Sequence, residues 1–110
     1  MTIEQTNTID FVTIHDASGD VWLTISDHLP WDTDEGRHLV LLQEKLNAYL
    51  RFIESGELVE KFPEATARKI VINLVGKFYL SEQGSRFFDL SQAEIAKAGF
   101  KLRFSLLARQ

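Results

Sequence analysis

The polar chemistry of this chain is concentrated in residues 23–38, LTISDHLPWDTDEGRH, which carry two of its three histidines and four of its acids. An imidazole beside a carboxylate can move protons in general acid–base catalysis. His28 and His38, with Asp27, are therefore the candidate catalytic residues. The same residue types can ligate a divalent metal. Asp34 and His38 are four apart and Glu35 and His38 three apart, spacings that share one helix face. No recognised ligand spacing such as HExxH accompanies them, and there is no nucleophile elbow or phosphate loop. No metal and no other cofactor is expected. His15 belongs to the opposite end of a hairpin, about six or seven strand residues away at about 3.3 Å each.

Helix-entry rules account for several of the same residues. Asp32 with Glu35 has capping-box spacing, with aspartate in place of serine or threonine. Asp34 and Glu35 fall in the first turn, where the helix dipole favours negative charge by about 0.3–1 kcal/mol each. Pro30 restricts Leu29, and Leu29 and Trp31 are expected to plug the end of the core. Two outcomes follow. Convergence of Asp27, His28 and His38 on a solvent-filled cleft would favour catalysis. His28 packed against Trp31, with His38 in open solvent, would make this a structural helix entry with a charged rim, whose acids Asp27, Asp32, Asp34 and Glu35 could also recognise a partner.

These residues must be positioned by the elements around them. Phe11–Ile14 and Val21–Ile25 are β-rich and are joined by a turn in which Gly19 can take positive φ. Val21, Leu23 and Ile25 point one way, Trp22, Thr24 and Ser26 the other. Residues 33–55 predict a helix, with Leu39, Leu42, Leu46, Tyr49, Leu50 and Ile53 as its apolar stripe and Gly56 at C′. Leu41, Ala48 and Phe52 form a second strip, for the following ELVEKF segment or for a partner to cover. Residues 68–80, RKIVINLVGKFYL, predict a central strand, with Gly76 marking a bulge or a close backbone approach. Residues 82–98 predict a helix capped by Ser81 and stopped by Gly99. Its inner face is Gly84, Phe87, Ser91, Ile95 and Ala98, with Phe88 at the edge. A capping box at Ser91–Glu94 could break that helix near Asp89. In residues 100–106 Phe100, Leu102, Phe104 and Leu106 alternate toward the core, with Lys101, Arg103 and Ser105 outward.

The order is ββαβαβ: an α+β fold in which a four-stranded sheet carries two helices packed on one face. The other face would display Trp22, Thr24, Val71, Asn73, Val75, Lys77, Tyr79, Lys101 and Arg103. Trp22, Tyr79 and Arg103 are its candidate partner-binding residues. Single-stranded RNA could stack on Trp22 and Tyr79 and meet Lys77, Lys101 and Arg103. Without an RNP signature, and at net charge −4, nucleic acid is disfavoured. The same residues could bury against a second copy as a homodimer.

Composition sets the frame. With 110 residues, 45% of them hydrophobic and 25% charged, one domain with its own core is expected. It would span residues 9–107, after a flexible tail over 1–8. The absence of cysteine excludes disulfides and thiol chemistry. The polar start MTIEQTNT and the lack of a long apolar run point to a cytoplasmic protein without a membrane span.

VWLTISDHLPW, then HLVLLQEKLNAYLRFIESGEL, PEA…KIVINLV and AGFKLRF resemble a small bacterial family known only as a domain of unknown function. The resemblance covers residues 9–106. It implies a compact α+β domain and brings no catalytic residues with it. The function expected is a non-enzymatic protein-binding module, for which the immunity partner of a basic toxin is the analogy of size and charge. A small histidine-dependent enzyme and a homodimeric structural protein are the alternatives.

Overall fold

Alternation of apolar residues in the strands and a three–four repeat in the helices meet on one side of a single sheet. The computed structural model describes residues 11–15 and 17–107. The elements are β1 (Phe11–Ile14), β2 (Val21–Asp27), α1 (Glu35–Glu54), α2 (Glu57–Lys61), a 3-10 turn (Pro63–Ala65), β3 (Ile70–Gly76), α3 (Glu82–Lys97) and β4 (Lys101–Leu106). The sheet order is β1-β2-β3-β4. β1 is antiparallel to β2, whereas β3 and β4 are each parallel to the preceding strand. This is the expected ββαβαβ α+β fold. The suggested tail over 1–8 lies outside the described residues.

In β2 burial alternates strictly, with Val21, Leu23 and Ile25 fully buried. They join Ile72, Leu74 and Leu102 from the neighbouring strands in one core with Leu42, Leu46, Tyr49 and Ile53 of α1 and Phe88 and Ile95 of α3. Both long helices thus cover the same sheet face. Each large aliphatic or aromatic side chain buried there contributes about 1.5–3 kcal/mol. The Tyr49 hydroxyl, inside this core, donates to the Thr24 carbonyl at 2.9 Å.

Several boundaries differ from the sequence expectations. The chain after α1 folds as α2 against it, burying Leu58 along with Ala48 and Phe52, so the second apolar strip is covered from within. Gly56 takes φ +87 between the two helices, the left-handed conformation expected at C′. β3 stops at Gly76, where its partners end at Asp27 and Leu106. Lys77 and Tyr79 therefore lie beyond the sheet rather than on its open face. Gly76 is a close approach: a Cβ there would lie 2.7 Å from the Phe104 ring.

α3 is one helix, N-capped by the Ser81 hydroxyl, which accepts from the Gly84 amide at 3.0 Å. The Ser91–Glu94 box does not break it. Phe88 and Ile95, two turns apart on one face, are both buried, and the Gln92 side-chain amide donates to the Leu102 carbonyl between them. Phe88 is at the centre of the inner face, and Ala98 is exposed. Leu106, expected in the core, is 39% exposed at the outer end of edge strand β4.

Candidate functional site

The polar stretch that begins at the end of β2 is organised around Asp27. Oδ1 of Asp27 accepts the Leu29 amide at 3.1 Å, an Asx-type turn that reverses the chain, while its carbonyl accepts the Lys77 amide at 2.9 Å. The segment through Trp31 then leads into α1, whose N-cap is Asp34. The Asp34 carboxylate accepts the Arg37 amide at 3.2 Å. The expected Asp32–Glu35 capping box is not formed. The helix starts two residues later because residues 31–33 still turn, placing Trp31 against the first helical turn. Asp32 and Asp34 are exposed and Glu35 is half-buried, forming an acidic helix entry.

One turn into α1, His38 points inward. Its Nε2 meets Asp27 Oδ2 at 2.5 Å, and both side chains are sealed, at 1% and 3% exposure. Trp31 stacks on the imidazole, with ring centroids 3.5 Å apart and planes 17° apart. Trp31 also reaches the first turn of α3, where a Cβ added at Gly84 would lie 3.1 Å from the indole.

Of the three residues that could converge, Asp27 and His38 do so; it is His38, not His28, that packs against Trp31, and His28 is exposed outside the pair. Neither nitrogen of His38 is open to a substrate. Nε2 is bonded to Asp27, and Nδ1 is buried with no hydrogen-bond partner. A hollow of about 110 Å³ lies alongside, lined by Leu29, Pro30, Thr33, Asp34, Arg37 and His38. The arrangement locks the β2–α1 connection to α3. Among the described residues, no three His, Asp or Glu side chains are grouped to hold a metal ion. Asp27, 4% exposed, is not on the acidic rim with Asp32, Asp34 and Glu35.

The accessible features lie elsewhere. Between α1 and α3 runs a groove of about 260 Å³, with Leu46, Leu50, Phe87, Leu90 and Ile95 as its apolar lining and Gln43, Asn47, Ser91 and Glu94 as its polar residues. Leu90 is 70% exposed at its edge. The groove has no local signature in the sequence pattern beyond one residue. The available signal was Leu90, an apolar residue out of phase with the buried face of α3.

On the open sheet face, His15 stacks on Trp22 at 4.6 Å and 11°, and the Arg103 guanidinium carbon lies 4.8 Å from the indole centre. Val71 and Asn73 are buried there although neither long helix covers this side. Tyr79, 75% exposed, stands with Phe78 beyond the end of β3. Lys45, fully buried on the inner face of α1 with its ammonium 5.6 Å from the Tyr49 ring centre, was likewise absent from the expected core.

The described residues include no helix long and apolar enough to cross a membrane. The model of a family described as "Family of unknown function (DUF6572)" matches residues 1–108. No curated protein and no solved structure matches the chain.

Proposed function

The chain belongs to this family of unknown function, and we propose that it acts by binding another protein through the groove between α1 and α3. The observation that carries this reading is the apolar lining of that groove, with Leu90 70% exposed at its rim, in a molecule whose buried imidazole–carboxylate pair is closed to substrate. Large exposed apolar patches mark sites of association, and this groove with the Leu90 rim offers a smaller seat of the same chemistry. Its shape suits the apolar face of a partner helix, read as anchors at three- and four-residue spacing. The one charged residue lining the groove is an acid, Glu94, so the partner segment would carry lysine or arginine at its edge. A basic toxin is one partner of this chemistry. Net charge −4, with Asp32 and Asp34 exposed at the entry to α1, would speed its approach.

The test is capture by the wild-type chain and by Leu90→Asp from the native organism, followed by reconstitution of the identified partner from purified proteins. Binding at least tenfold weaker for Leu90→Asp, at unchanged thermal stability, is the expected result. A partner held equally by both proteins would overturn the proposal. Co-expression with the neighbouring gene product asks separately whether that partner is a toxin.

A further inference from the structure

The open sheet face has a chemistry opposite to that of the molecule as a whole. Lys101 and Arg103 project from edge strand β4 on the side away from the helices, both exposed, in a chain of net charge −4. Neither has a carboxylate partner among the described residues. Arg103 instead rests on the Trp22 indole, with one Nη donating to the Ser105 hydroxyl at 3.4 Å, and that hydroxyl donates to Asn73 Oδ1 at 3.1 Å. The Trp22 indole N–H is buried without an acceptor. A buried donor left unpaired is costly, and two adjacent cations without counter-charges among the described residues favour an anionic neighbour.

From this we infer that the open face, centred on Trp22, Lys101 and Arg103, binds an acidic segment of a protein partner, independently of the groove. Carboxylates engage Arg103 and Lys101, with Arg103 able to bind one in bidentate fashion. Charge complementarity selects the occupant, and the state of the indole decides between anions. Nucleic acid would need a free aromatic face for base stacking, but His15 and Arg103 already lie on this ring. The Lys77 and Tyr79 positions that an RNA strand would also need have left the sheet, because β3 ends at Gly76.

The experiment titrates the isotopically labelled protein with a glutamate-rich decapeptide and, separately, with a thymidine decanucleotide, following the Trp22 indole N–H resonance. The expected result is a saturable shift with the peptide that weakens as salt is raised and is lost in K101E/R103E, while R86E, on the outer side of α3, responds like wild type. Three outcomes would overturn the inference: no saturable shift with the peptide, an equal shift in K101E/R103E, or tighter binding of the oligonucleotide. A shift of the same resonance on simple concentration of the protein would assign the face to a second copy instead, and would overturn it too.

Discussion

The molecule contains two histidine–tryptophan stacks, one at each end of β2, and they have different fates. His38 and Trp31 sit under the carboxyl ends of the strands, 2% and 7% exposed, with the imidazole bonded to a buried carboxylate. His15 and Trp22 sit at the hairpin end, on the face that no long helix covers, with a guanidinium against the indole. The ring chemistry is the same. What differs is the access of water and the charge of the third partner. A sealed, acid-anchored stack fixes a connection between elements, whereas the cation-bearing one keeps its guanidinium exposed.

Truncating each indole separates the two stacks most clearly. Trp31→Ala should cost about 3–5 kcal/mol, as for a large buried aromatic, and Trp22→Ala, half-buried, about 1–2 kcal/mol. Denaturant unfolding of both variants measures this, and equal losses would erase the distinction. Asp27→Ala should cost about 3 kcal/mol, because it strands a buried imidazole and frees the Leu29 amide. If that variant unfolds within 1 kcal/mol of wild type, the pair is not structural and the catalytic reading of His38 reopens. Gly84→Ala presses a methyl against Trp31. Overpacking of about 1–3 kcal/mol outweighs the helix propensity gained, about 1 kcal/mol, leaving a net loss near 1 kcal/mol in a thermal melt. At the other stack, His15→Ala should change stability by no more than about 0.5 kcal/mol. A larger loss in the same melt would show that the exposed stack also holds the fold.

Much of the fold was legible because its signals are local. The hairpin, the αL glycine at Gly56, the serine cap at Ser81 and the alternation of β2 each follow from a few neighbouring residues and reappear in the structure. Features that depend on a distant partner did not. Asp34 rather than Asp32 caps α1, because where the turn ends depends on what Trp31 packs against. The strand through Lys77 and Tyr79 looked continuous, but its length is set by where β2 and β4 stop. His38 and Lys45 lie on the period of the buried face, with Leu42 and Tyr49 between and beyond them. Hydropathy alone passes over them, because it scores polarity and not phase.

Periodicity and capping, which act over one or two turns, fix the order of the elements, the faces of the strands and the single-sided packing of two helices. Long-range packing selects Asp27 and His38, not His28, as the residues that meet, and buries that pair. It also decided that an apolar groove remains between α1 and α3. Those outcomes depend on how closely non-adjacent elements approach, and that distance is set by the packing of the whole core.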